Sequence, residues 1–368
     1  MKKTLKHLEL FAGIGGFRKA IDLYCQDNNI QSECIGFSEK DKYAVSTYKA
    51  NYNTKNEIEL GDIEEFTSKK SNIKSLPNFD LLSGGFPCQS FSMMGKKGGL
   101  EDKRGNLFYS IIDILKIKKP KYVLLENVRN LRTHDKGNTF KEVIRSLEED
   151  AGYFVTSDVF NTSDFGLPQT RRRVFIFAIR KDLEQNFMHV NLKNEVVIEK
   201  TLKLNGSTSL KKYNNVLDNL LEKEVEEKYY LSERLKPTIL SNGSKGFKSN
   251  SQINQLIARP LTATMVKMHR ACQDNYYSDE FLTNKNPVKY LEKSFSKEDE
   301  AKHKIRKLTP IEAFRLQGFD DKFVHNAQLV GISNHQLYKQ AGNAVSVNTV
   351  YSIIHYLVKK NIVKLQNE

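Results

Sequence analysis

Cys88 stands in the run Ser83-Gly84-Gly85-Phe86-Pro87-Cys88-Gln89-Ser90-Phe91-Ser92, a thiol after a proline with glycines just before it. The residues leading into it, Asp80-Leu81-Leu82-Ser83, read as a buried parallel strand. Those that follow, Met94-Gly95-Lys96-Lys97-Gly98-Gly99, read as a basic loop. A thiol at the carboxyl edge of a strand lies where open α/β sheets bind ligands, and as a thiolate it is a nucleophile. The plain alternative is a small buried hydrophobe, which describes most free cysteines. Position alone does not separate the two.

Other chemistry-bearing residues fall at similar places. Leu10-Phe11-Ala12-Gly13-Ile14-Gly15-Gly16-Phe17 is a strand, a glycine turn and a helix start. It departs from G-x-G-x-x-G, so a dinucleotide pyrophosphate is not its natural ligand. Glu39 ends a second strand, where a carboxylate can hydrogen-bond ribose hydroxyls. Asp62, in Leu60-Gly61-Asp62-Ile63, follows a third and could accept from an adenine amino group. A cofactor with adenosine but no pyrophosphate fits all three, and S-adenosylmethionine is the obvious one. Glu126, in Leu124-Leu125-Glu126-Asn127-Val128, follows an apolar run. Partial desolvation there would raise its pKa and let it donate a proton near neutral pH. In Gln169-Thr170-Arg171-Arg172-Arg173-Val174, strand alternation sends Arg171 and Arg173 to one face. Two arginines on one face can grip a phosphate or a base carbonyl, or simply form a basic edge strand.

The elements that must position these residues alternate. Leu8 to Phe11, Cys34 to Ser38, Asp80 to Ser83, Tyr122 to Leu125, Phe154 to Phe160 and Val174 to Ile179 read as strands. Phe17 to Asp27, Tyr43 to Asn51, Asn106 to Ile117 and Phe140 to Glu149 read as helices between them. This rhythm predicts an α/β fold with a doubly wound, mostly parallel sheet. From about Asn191 to Lys304 the chain is polar and irregular, yet Leu256, Ile257, Leu261 and Met265 continue an apolar pattern. A second, smaller domain is expected there. Residues 1–190 form the first domain, 191–305 the second and 306–335 a hinge. Residues 336–368 return to the first domain through an amphipathic helix from about Val345 to Lys359. Thr309-Pro310-Ile311-Glu312 has the form of a capping box with proline in the first turn.

The chain has 368 residues and a net charge of +14, from 58 basic and 44 acidic residues. Such an excess favours polyanionic partners, nucleic acid above all. It is also unevenly spread: Arg234 to Arg270 holds seven basic residues and no acid, as a phosphate-facing surface requires. Four cysteines without C-x-x-C spacing point to a reducing cytoplasm and no structural zinc. No apolar run is long enough to span a membrane, and the basic start leads into a strand, not a signal peptide.

In their order, these motifs resemble those of the DNA (cytosine-5)-methyltransferases of bacterial restriction–modification type. The likeness lies in Phe-Ala-Gly-x-Gly-Gly, Gly-Phe-Pro-Cys-Gln-Ser-Phe-Ser, Glu-Asn-Val, Gln-x-Arg-x-Arg and Gln340-Ala341-Gly342-Asn343-Ala344-Val345. Arg306-Lys307-Leu308-Thr309 with Arg315-Leu316-Gln317-Gly318-Phe319 is similar to the family's penultimate motif. The resemblance implies the class I S-adenosylmethionine-dependent methyltransferase fold with a target-recognition domain. It implies that Phe11, Ala12, Gly13, Ile14, Gly15 and Gly16 form the cofactor turn and that Glu39 binds the ribose. Asp62 and Ile63 would flank the adenine, and Pro87, Leu107 and Asn343 would complete the pocket. Cys88 would be the nucleophile, Glu126 would contact the cytosine N3 edge, and Arg171 and Arg173 would hold the target nucleotide. On the DNA side stand Phe86, whose carbonyl could meet the cytosine amino group, Gln89, and a loop from Ser92 to Arg104 that closes over the base, with Met94 as a wedge. Arg259-Pro260-Leu261-Thr262-Ala263-Thr264 is similar to the family's recognition-loop core. Arg259 is the candidate for a guanine contact, with Thr262 and Thr264 beside it.

The implied chemistry uses each type. A thiolate added at cytosine C6, with a proton at N3, makes an enamine whose C5 attacks the methylsulfonium. The base must leave the duplex first. The expected partner is double-stranded DNA, with the enzyme monomeric and any cognate restriction endonuclease acting separately. A zinc nucleobase deaminase needs P-C-x-x-C, and Phe91 occupies the second cysteine's place. An RNA (tRNA) cytosine-5 methyltransferase is the enzymatic rival. A catalytically inactive DNA-binding regulator on the same scaffold is the rival from another class.

Overall fold

The computed structural model describes residues 3–87, 107–183, 192–202, 208–244 and 246–367. These fall into two compact units. The first holds residues up to Phe165, Arg172–Leu210 and everything from Val345 onward. The second holds Gly166–Arg171 and Lys211–Ala344. The second unit therefore begins about twenty residues later than the composition change at Asn191, and it takes in the stretch expected to be a hinge. It also takes in six residues that immediately precede a strand of the first unit.

The first unit is built on one sheet. Its strands are β1 (Lys3–Leu10), β2 (Gln31–Phe37), β3 (Ile58–Glu59), β4 (Leu81–Gly85), β5 (Tyr122–Val128), β6 (Tyr153–Asn161) and β7 (Arg172–Arg180). Their spatial order is β3-β2-β1-β4-β5-β7-β6, and Gln366–Asn367 pairs antiparallel with the start of β1. The first five run parallel, while β7 lies antiparallel to both β5 and β6. The chain leaves β1 to one side for β2 and returns on the other for β4, so a crevice opens at the carboxyl ends of β1 and β4.

Helices cover both faces. The central strands read as near-continuous apolar runs because they are buried on both sides. On one face Leu8, Leu82, Val123 and Leu125 share a core with Phe108, Ile111, Ile112 and Leu115 of the helix Leu107–Lys118. On the other, Tyr24 of α1 (Gly16–Asp27) meets Tyr351 of the helix Val347–Lys359 edge-on, ring centroids 5.5 Å apart. That last helix was expected to be amphipathic, but every residue from Val347 to Leu357 is buried. Its polar members Asn348 and Ser352 make internal hydrogen bonds, which is what permits polar side chains in a helix closed on all sides. The helix α2 (Lys42–Asn51) starts where Asp41 accepts from the Tyr43 and Ala44 amides.

The second unit carries two short antiparallel ribbons, Tyr276–Ser278 with Ile305–Lys307 and Gly243–Ser244 with Phe247–Lys248. It has a small core of Leu231, Ile239, Leu240, Ile253, Ala271, Tyr276 and Ile305. The Thr309 capping box forms as its sequence predicts, with Glu312 also gripping the buried Arg306 guanidinium at 2.8 Å.

Candidate active site

The glycine turn follows β1 directly. Phe11 takes a left-handed φ of 51°, as do Gly13 at 55° and Gly15 at 85°. A bulky residue in that region is backbone strain, which persists where the surroundings over-determine it. Among the described residues, its chain neighbours aside, no atom lies within 4 Å of where a Gly13 Cβ would stand. Gly16 is bare for another reason: a Cβ would fall 2.6 Å from Val345 Cγ1. Ala12 and Ile14 are buried and hold the turn down. The Glu39 carboxylate accepts from the Gly13 amide at 2.8 Å, and from the amides of Lys40 and Asp41 at 2.9 and 2.8 Å. The strand-end acid is thus tied to the turn itself. Asp62 caps the helix Ile63–Thr67 by accepting from Glu64 N at 2.9 Å. Ile63 is in the core, Leu107 packs against it, and Pro87 is exposed beyond β4. Glu39 and Asp62 follow the carboxyl ends of neighbouring strands β2 and β3. Asn343 ends the helix Asn334–Asn343 of the second unit and is exposed.

Glu126 lies within β5, opposite Gly85 of β4. Its Oε1 pairs with Arg173 Nε at 3.0 Å, and both side chains are mostly buried. Gly85 matters here, because a Cβ would stand 3.2 Å from Glu126 Oε2. The raised pKa expected for Glu126 rested on burial alone, and the structure sets the Arg173 guanidinium beside it as a partner. Next to it, buried Asn127 donates from Nδ2 to the Phe86 carbonyl at 2.7 Å. That bond ties β5 to the backbone immediately before Pro87.

The two arginines do not share a strand face. Arg173 is in β7, whereas Arg171 precedes that strand and belongs to the second unit. Arg171 is 2 % exposed and donates to the carbonyls of Leu261, Gly342 and Ala344 at 3.0, 3.1 and 2.9 Å. Alternation placed the pair together only on the premise that the strand began before Arg171. Arg171 is a brace between the loop at Leu261 and the end of the helix at Gly342. Gln169 does the same work, donating to the Leu316 carbonyl and accepting from the Leu261 amide. Arg259 is likewise engaged: its Nε donates to the Ala271 carbonyl at 3.0 Å, and Asn275 holds its amide at 2.7 Å. That bond engages the Nε edge of the guanidinium, whose Nη atoms carry four further N–H donors. Thr262 and Thr264 are exposed.

The chain matches the sequence model of the family described as C-5 cytosine-specific DNA methylase over residues 5–359. The chain belongs to that family. It is 36% identical to the type II methyltransferase M1.ScrFI of Lactococcus lactis subsp. cremoris, covering 97% of this chain and 79% of that one. It is 33% identical to the type II methyltransferase M.HpaII of Haemophilus parainfluenzae over 98% and 91%, and 31% identical to the orphan methyltransferase M.SPRI of Bacillus phage SPR over 98% and 99%. In fold it is similar to the Entamoeba histolytica methyltransferase EhMeth, with a TM-score of 0.71, 21% identity, and coverage of 99% and 100%. This C-5 cytosine methylase is therefore an S-adenosylmethionine-dependent enzyme that methylates cytosine in DNA.

Cys88, Gln89, Ser92, Met94 and Arg104 lie outside the described residues. Two other thiols of the methylase are accounted for: burial pushes Cys25 and Cys34 up to about 12, which leaves them poor nucleophiles. Among the described residues no cluster of His, Cys, Asp and Glu could hold a metal, and no helix is long and apolar enough to cross a membrane. Reading the sequence missed Asn127, whose clue was its place beside Glu126. It also missed buried Glu9, whose clue was a charge inside the apolar run Leu8-Glu9-Leu10.

Proposed function

We propose that Cys88 is the nucleophile and that the substrate is a cytosine flipped out of double-stranded DNA. Bound S-adenosylmethionine supplies the electrophilic methyl group. In this reading the Cys88 thiolate adds to C6 while Glu126 serves the N3 edge, so that electron density moves to C5. After methyl transfer a base takes the C5 proton, and expulsion of the thiolate restores the ring. Arg173 fixes the carboxyl of Glu126, and the Phe86 carbonyl accepts from the cytosine amino group. The glycine turn with Glu39, Asp62 and Ile63 holds the cofactor.

The observation that carries this reading is the paired Glu126 and Arg173 with Asn127 gripping the backbone two residues before Cys88. Arg259, Thr262 and Thr264 are the candidates for contact with DNA. Arg259 holds their loop. The enzyme works as a monomer in the cytoplasm, with any endonuclease partner separate. Comparing methyl transfer to duplex DNA and to tRNA tests the substrate: duplex DNA accepts methyl groups at cytosine C5, and transfer to tRNA alone contradicts the proposal.

A further inference from the structure

Beneath the glycine turn lies a buried polar cluster that touches no reacting group. Arg18, from the first turns of α1, is 8% exposed. Its guanidinium pairs with Glu57 at 2.5 Å, donates to the Tyr48 hydroxyl at 3.2 Å, and lies over the Tyr52 ring, 4.7 Å from its centroid. The Tyr52 hydroxyl in turn donates to the Gly15 carbonyl at 2.6 Å. The same ring explains why position 15 has no side chain: a Cβ there would stand 2.4 Å from Tyr52 Cε2. A cation held by a carboxylate stacks on a ring, and that ring holds the middle of the turn by its hydroxyl. The chain of contacts is Glu57 to Arg18 to Tyr52 to Gly15, all within the first unit.

From this geometry we infer that Tyr52, clamped by Arg18 and Glu57, is a positioning residue that sets the turn for S-adenosylmethionine without touching it. The inference rests on the cofactor lying at that turn. It follows from preorganisation: Phe11, Gly13 and Gly15 are all held at positive φ, and a turn that must re-form on binding loses affinity.

The experiment is calorimetric titration of S-adenosylmethionine into the full chain, with steady-state kinetics alongside. Tyr52→Phe keeps the ring and removes one hydrogen bond, so the Kd and the KM for the cofactor should rise about fivefold. The kcat at saturating cofactor and the KM for DNA should stay at parental values, with the Tm lowered by no more than the few degrees that one lost hydrogen bond costs. Glu57→Gln loosens the same clamp from its far end and should move cofactor affinity in the same direction. If both variants bind within twofold of the parent, the inference is overturned. A parallel Gly13→Val variant separates the two failures. If it loses binding while the other two keep it, the cofactor lies at the turn but the clamp is idle; if it too binds normally, the cofactor lies elsewhere.

Discussion

Glu9 is fully buried in β1, and burial pushes its carboxyl up to about 8 despite the Arg18 amide and the Tyr48 hydroxyl beside it. His7, two residues earlier and also fully buried, is lowered to about 4 by the same cause. Arg18 and Asp22 are the charges that bear on both. A carboxyl raised in the folded state supports folding below its unfolded value of 4.5 and loses that support as pH rises through 8. A lowered histidine works the other way, but its change is complete once the pH passes 6.5. Between pH 6.5 and 8 Glu9 therefore acts without that offset, and the parent should lose about 2 kcal/mol across the window. Glu9→Gln should flatten that decline in thermal unfolding followed against pH, and a slope equal to the parent's would mean Glu9 does not titrate there. At this scale the sequence showed Glu126 and Glu39 plainly, because each follows an apolar run at a strand end. It could not show Arg173 as the partner of Glu126. That contact depends on β7 running antiparallel beside β5, with Val128 opposite Arg173, and local periodicity carries no information about which strands are neighbours.

Among the elements, the helix Asn334–Asn343 shows how a motif can be structural. Gly342 has no side chain because a Cβ would fall 2.2 Å from the Thr262 carbonyl carbon and 2.3 Å from its oxygen. The conflict is with backbone, which cannot swing aside. Gly342→Ala should cost about 1–3 kcal/mol and displace the Thr262 loop. DNA affinity and Tm should fall while calorimetric S-adenosylmethionine affinity holds, and unchanged DNA affinity would detach this helix from the recognition loop. The alternation of strands and helices was legible, since fully buried strands and one-sided helices leave different patterns. Strand ends were less so: β1 begins at Lys3 and β7 at Arg172, set by ladder partners outside the segment. Moving the start of β7 past Arg171 takes that residue off the strand that carries Arg173 and gives it the carbonyls of Leu261, Gly342 and Ala344 as partners.

For the whole molecule, charge is the property that sequence states most directly, yet the fold redistributes it. Of the basic residues between Arg234 and Arg270, Lys236 is buried and paired with Glu233 at 2.6 Å, and Arg259 gives its Nε–H to the Ala271 carbonyl. Arg234, Lys248 and Lys267 remain exposed. Lys267→Glu should weaken DNA binding at every sequence and reduce the slope of log affinity against log salt by about 1, with cofactor affinity unchanged. An unaltered slope would place Lys267 away from the phosphates. Domain limits were legible only coarsely, because Gly166–Arg171 joins the second unit through bonds to residues some ninety and more positions later. In the proposed mechanism the chemistry converges on Cys88. Duplex DNA carrying 5-fluorocytosine at the target blocks the final loss of the C5 proton, so the covalent adduct should accumulate when S-adenosylmethionine is present. Peptide mapping of that adduct should find the base on Cys88, and Cys88→Ala should form neither the adduct nor 5-methylcytosine in ordinary DNA. An adduct on another residue, or methylation that survives Cys88→Ala, would contradict the mechanism.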